Sequence, residues 1–181
     1  MKVKIRICQP KYTIMVPKGD KMRVLKTVLT VILISAVLCS CGAQKKSEVS
    51  MYDLCKAMTA DAGLGDMTYV SASDADAEDS FAYISDFDYD KVSSWFDYFA
   101  SDGAKCSDEI AVISVKNRAD VTQAEAALKD HLEYRKSLYK TYAPDQLPKL
   151  NSALVFSNDI YAVLIVADNP QSIKTAFEAF I

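Results

Sequence analysis

Residues 51–181 predict an α+β fold, a mostly antiparallel sheet of about five strands with helices packed on one face. Three observations carry that reading. Glu109–Val115, Ala153–Ser157 and Ile160–Ala167 are apolar runs of strand length, too short for buried helices. From Asp120 to Tyr142 apolar residues instead recur at helical spacing, over a length that ordinary strands do not reach. The elements also come in segregated order, one helix, three or four strands, a long helix, a hairpin and a closing helix, where a parallel α/β sheet would alternate them.

Each element follows from its local pattern. Met51–Ala62 places Met51, Leu54, Cys55 and Met58 on one helical stripe and ends at Gly63 and Gly65. Met67–Val70 reads as a short strand, and the acidic stretch Ser71–Ser80 as a solvated loop. From Phe81 to Tyr89 the period becomes two, with Phe81, Tyr83, Ser85, Phe87 and Tyr89 on one side, which predicts a strand with one wet face. Val92–Phe99 is another strand, closed by the turn Ser101-Asp-Gly103. Glu109–Val115 is nearly all apolar, as in the middle of a sheet. Asp120 and Gln123 match a capping box for the long helix, whose stripe is Val121, Ala124, Leu128, Leu132, Tyr139 and Tyr142 and which Pro144 stops. Pro144–Leu150 holds one further helical turn. Asn158-Asp159 joins the last two strands, being residues that tolerate left-handed backbone angles. Asn169 and Pro170 suit the N-cap and first position of a final helix with Ile173, Ala176, Phe177 and Phe180 on one side.

Ahead of this domain, Arg23-Val-Leu-Lys26 is followed by an uncharged run and by small residues before a cysteine, the layout of a secretory leader. Leu38-Cys39-Ser40-Cys41 resembles the lipobox of bacterial lipoproteins. That resemblance implies that Cys41 receives a diacylglyceryl group carrying acyl chains such as palmitate, and that cleavage before it makes it the first residue. Residues 1–41 are then a signal peptide with lipobox, 42–50 a polar tether, and 51–181 a single domain. Two other readings stay open. The uncharged run Thr27–Gln44 is 18 residues, at the lower limit for crossing a hydrocarbon core of about 30 Å as an uncleaved anchor. An ordinary cleaved signal peptide is the other. All of them export the remainder, since eight Lys and Arg against one Asp precede the run. Met22 is a candidate start, because the chain before it holds Pro10, Pro17 and Gly19 and no apolar core.

Residues 42–181 carry 13 Lys and Arg against 23 Asp and Glu, a net charge of −10, with no basic patch, which excludes nucleic acid as a partner. The expected partners are the membrane, through the lipid anchor, and an envelope protein or wall component. Cys55 and Cys106 remain after cleavage; an export compartment permits a disulfide, but Cys55 lies on an apolar stripe and the pairing is not expected. Asp86-Phe-Asp88-Tyr-Asp90 has the alternating carboxylates of a calcium loop, with Asp97 at its twelfth position. Lys91 stands where the turn needs glycine, so these carboxylates are weak metal candidates and fit better as charges guarding a strand edge. His131 is the sole histidine, expected partly exposed at the margin of the helical stripe, and Arg135 one turn on leans inward and needs a partner or an exit to water. Tyr83, Tyr89, Tyr98, Tyr134, Tyr139, Tyr142 and Tyr161 offer amphipathic surface for contacts or for the core boundary. No paired His ligands, Cys-x-x-Cys, Gly-x-Ser-x-Gly or phosphate-binding glycine loop is present, and no cofactor is implied.

Asp108-Glu-Ile-Ala-Val-Ile-Ser-Val115, the helix ending Tyr142-Ala-Pro144, Asn151-Ser-Ala-Leu-Val155 and Tyr161-Ala-Val-Leu-Ile-Val166 together resemble the bacterial lipoproteins of domain-of-unknown-function family 4358, from about Phe81 to Ile181. The resemblance implies an exported, lipid-anchored domain and brings no catalytic residues with it. The expected function is a non-enzymatic accessory or binding domain at the cell envelope. The alternative is an envelope hydrolase or transferase acting on wall polymers through acidic residues such as Asp86 and Asp88. Small-solute capture for a transporter is disfavoured, because such receptors usually close two lobes over their ligand.

Overall fold

Glu109–Val115 forms strand β3 over the span its sequence predicts, and every one of its residues is buried. A strand buried on both faces needs cover on both, and this decides the architecture. The computed structural model describes residues 49–181, so the leader, Cys41 and most of the tether lie outside the described residues. In chain order the elements are α1 (Met51–Thr59), β1 (Met67–Ser71), α2 (Ala77–Phe81), β2 (Val92–Ala100), β3, α3 (Val121–Tyr142), α4 (Leu147–Asn151), β4 (Leu154–Asn158), β5 (Tyr161–Val166) and α5 (Pro170–Phe180). The sheet order is β1-β2-β3-β5-β4, and all four pairings are antiparallel. The α+β class and the five antiparallel strands are therefore as the sequence predicts.

The expectation of helices on one face is corrected. Ala111, Ile113 and Val115 pack with Trp95, Leu164 and the α3 residues Ala124, Leu128 and Leu132. Their neighbours Ile110 and Val112 point the other way, toward Met51, Leu54 and Met58 of α1 and Ile173 and Phe177 of α5. The period of two along β3 and β5 thus feeds two cores, one under α2, α3 and α4, the other under α1 and α5.

Two further expectations are overturned. Residues 81–89 are not a strand, and 71–80 is not wholly loop, because α2 occupies Ala77–Phe81. Ala77, Phe81 and Ile84 recur at i, i+4 and i+7 and are the residues that bury, whereas Tyr83 is 84% exposed. Glu78 and Asp79 lie in the first turn of α2, where negative charge favours a helix. Asp120 does not cap α3 with its side chain. The carboxylate pairs with Lys91 at 3.3 Å, Gln123 Oε1 accepts from the same ammonium at 3.1 Å, and Asn117 caps the short 3-10 turn Arg118–Asp120 that leads in. Tyr142, assigned from sequence to the buried stripe, is 80% exposed.

The remaining signals act as read. Asp159 takes φ 54° between β4 and β5. Asn169 Oδ1 accepts from the Ser172 amide at 3.3 Å, with Pro170 at the first turn of α5. Among the described residues no helix is long and apolar enough to cross a membrane.

Candidate functional site

On the face of the sheet under α3, Glu109 is the first residue of β3 and lies opposite Phe99 of β2. Asp97, two residues back along β2, shares that face. Only 2% of Glu109 and 3% of Asp97 are exposed, so the apolar sheet puts two carboxyl groups out of water in one place. Buried charge is tolerated only with partners. For Glu109 they come from α3: helical spacing sets His131 and Arg135 one turn apart on the inward side, between Leu128, Leu132 and Tyr139.

The result is a closed network around Glu109. Its Oε1 lies 2.8 Å from His131 Nε2, and its Oε2 accepts from Arg135 Nη1. Arg135 Nη2 donates to the Ser107 carbonyl at 3.2 Å and to the Tyr139 hydroxyl at 3.3 Å, and the guanidinium sits 5.3 Å from the Tyr139 ring centroid. Tyr139 in turn donates to the Gly103 carbonyl at 2.8 Å, tying the β2–β3 loop to the helix. Close by, Lys149 of α4 pairs with Asp108 at 2.6 Å and Asp168 at 3.0 Å. Burial opposes the charge on Glu109, but Arg135, helped by His131, outweighs it and holds the carboxyl below its usual range.

Asp97 has the opposite fate. Burial first, and then the charge of Glu109, push its carboxyl well above the usual range; Arg135 and the Tyr98 amide offset only part of this. Its Oδ1 is buried and has no hydrogen-bond partner among the described residues. An acceptor left so costs about 1–3 kcal/mol, and such groups are rare enough in folded proteins to call for a reason.

A cavity of about 350 Å³ borders Asp97. Its floor is Val70 of β1, Asp97 and Phe99 of β2 and Glu109; one wall is His131 and Arg135, and the other is Ser80, Tyr83 and Ile84 at the end of α2. The lining is mostly apolar with a few convergent polar groups, the usual make-up of a small-ligand site, and the volume is that of one small molecule.

Sequence-selected residues fall unevenly around this site. His131 and Arg135 are in it, and His131 is a partly buried partner of Glu109 with 11% of its side chain exposed. Asp86, Asp88 and Asp90 lie outside it, in the turn before β2, where Asp88 Oδ1 accepts from the Asp90 amide at 3.1 Å. Asp97, expected as the end of the same loop, faces inward on a strand and is separated from them. The edge-strand role falls too, since no strand runs there. Among the described residues no three His, Cys, Asp or Glu are grouped to hold a metal ion. Cys55 is buried on the α1 face and Cys106 is half-buried in the β2–β3 loop, and both are free. Of the tyrosines, Tyr134, Tyr142 and Tyr83 are exposed, Tyr161 is buried, and Tyr139 works in the network.

Sequence reasoning missed Glu109 and Asp97. The signal for Glu109 was legible: two basic side chains spaced by four on an inward stripe require an acid on the surface they meet, and Glu109 opens an otherwise apolar strand. Residues 66–167 match the family described as Domain of unknown function (DUF4358). No curated protein and no solved structure matches the chain.

Proposed function

We propose, from the premise that the chain belongs to the DUF4358 family of domains of unknown function, that it is an exported lipoprotein anchored through Cys41, whose domain is a non-enzymatic binding module at the outer face of a bacterial membrane. Its ligand is a small component of the envelope, taken into the cavity beside Asp97. The observation that carries the binding reading is that Asp97, a buried carboxyl with one oxygen unpartnered, lines an apolar cavity. The leader and the lipobox-like Leu38-Cys39-Ser40-Cys41 carry the location. Two acyl chains, each methylene contributing about 0.8 kcal/mol when buried, hold such a domain at a bilayer stably.

The cavity moves weight from a macromolecular partner toward a small one, since a single-lobed cleft of about 350 Å³ accepts one small molecule or one chemical group. One observation favours the alternative of a hydrolase or transferase: Asp97 and Glu109 are carboxyls pushed in opposite directions, as acid–base pairs are. Glu109, however, is held through both oxygens by His131 and Arg135, which suits a counter-ion better than a base.

The intact mass of the chain extracted from membranes tests the anchor. A start at Cys41 plus a diacylglyceryl group is expected, and an uncut, unmodified chain refutes it. Ser80→Phe, which fills the cavity from α2, tests the binding. It should abolish in-cell crosslinks from a photoreactive side chain at Tyr83 without lowering stability, and unchanged crosslinks would overturn the cavity as the site.

A further inference from the structure

We propose that the cavity takes a small organic ammonium ion with an apolar body, its N–H donated to Oδ1 of Asp97 and its body lying against Phe99, Val70 and Ile84. This rests on the reading of the cavity as a binding site and names the chemistry of its ligand.

Four observations converge on a cation. An ionised Asp97 has no donor to give, so its unpartnered oxygen calls for a ligand that brings one. Of the other charged groups at the site, Glu109 and Arg135 satisfy one another, which leaves Asp97 as the carboxyl without a counter-charge. A carboxylate ligand would meet two buried carboxyls, and a neutral alcohol would bring no positive charge to favour the ionised form of Asp97. Phe99 on the floor and Tyr83 in the wall present aromatic surface, which attracts an ammonium ion further. The net charge of −10 on residues 42–181 also enriches cations around the site before any contact forms.

Binding carries a proton signature. The groups that face Asp97 are Glu109 on β3, His131 and Arg135 on α3 and Tyr83 beyond α2, while Cys55 of α1 feels it from the opposite face of the sheet. With burial and Glu109 holding the Asp97 carboxyl up, the empty site keeps its proton to higher pH than an ordinary aspartate does. An incoming ammonium ion favours the carboxylate, so that proton passes to buffer as the ion pair forms, and affinity rises with pH through the raised range.

The test uses the full chain in non-ionic micelles and three probes of one shape: phenethylammonium, 2-phenylethanol and phenylacetate. Calorimetry should show phenethylammonium binding at least about tenfold more tightly than the alcohol, as a charge-assisted hydrogen bond does over a neutral one, with phenylacetate weakest. Its heat should change between buffers of different ionisation enthalpy, reporting the released proton. In Asp97→Asn the preference should fall below about threefold and the buffer dependence should vanish, since the amide neither carries charge nor titrates. Equal or tighter binding of the alcohol or of phenylacetate would overturn the ammonium assignment and leave the cavity standing as a site. Absence of binding by all three would also overturn the assignment; joined to unchanged in-cell crosslinks in Ser80→Phe, it would overturn the cavity reading as well.

Discussion

Replacing Glu109 by Gln removes one charge and leaves the shape of the side chain, which isolates the work that charge does. With 2% of Glu109 exposed, the neutral amide stays where the carboxylate was. Only one of its two terminal atoms can still accept, so His131 or Arg135 meets a donor where it had an acceptor. Arg135, with 13% of its side chain exposed, keeps its cation with no paired counter-charge. Breaking a buried ion pair from one side costs about 3–5 kcal/mol. The Ser107 carbonyl and the Tyr139 hydroxyl remain for Arg135, which places the loss near the lower end, at about 3 kcal/mol. A domain of this size has about 5–15 kcal/mol in all, and with a urea slope of about 2 kcal/mol per molar the midpoint should drop by about 1.5 M. The double variant Glu109→Met with Arg135→Met removes both charges and should return to within about 1 kcal/mol of the parent. Urea unfolding in micelles followed by Trp95 fluorescence measures all three. A loss under about 1 kcal/mol for Glu109→Gln, or a double variant as weak as the single, would refute the buried network.

Other consequences follow from the same geometry. Because the Asp97 carboxyl is raised in the folded chain, its contribution is full below the unfolded value near 3.8 and is lost as pH rises through the folded value. Asp97→Asn should therefore gain stability relative to the parent at pH 8 and little at pH 4, and a gain that does not depend on pH would contradict this. Glu109 is lowered, so its contribution is present above the ordinary value near 4.5 and is lost as pH falls through the folded one; Glu109→Gln should flatten the acid limb of the unfolding curve. Burial, with Asp97 adding to it, pushes the Cys55 thiol up to about 12, so an alkylating reagent on the native chain should label Cys106 well before Cys55, and equal rates would show that the α1 face opens readily. Phe177→Ala, at a fully buried side chain edge-on to Phe156 and Tyr161, should cost about 3–5 kcal/mol in thermal or urea unfolding.

What the sequence makes legible is what local physics decides. The all-apolar β3 and β5, the hairpin turn that puts Asp159 at a positive φ, and the cap and proline that open α5 each report their own geometry. Segment 81–89 misleads because Phe81 and Phe87 fit a period of two and, with Ile84, also line a helix end and the turn after it. Only tertiary burial chooses between them. Cover on both faces was implied by the burial that β3 and β5 demand, yet which helix covers which face depends on chain path, and a single sequence does not carry it. The site is harder still. Arg135 announces an inward cation, but Asp97 is a carboxyl inside an aromatic strand, and its exceptional state comes first from burial under α3 and then from Glu109 on the neighbouring strand. Packing and strand register together create that state, and both are set by the assembled sheet.

The most direct measurement is the native mass spectrum of the chain extracted gently from its own cells in mild detergent. The account requires the parent to carry, beyond its lipid, one small molecule of discrete mass that is absent from Ser80→Phe and depleted from Asp97→Asn. A parent that carries nothing, or one whose bound mass survives filling of the cavity, would contradict it.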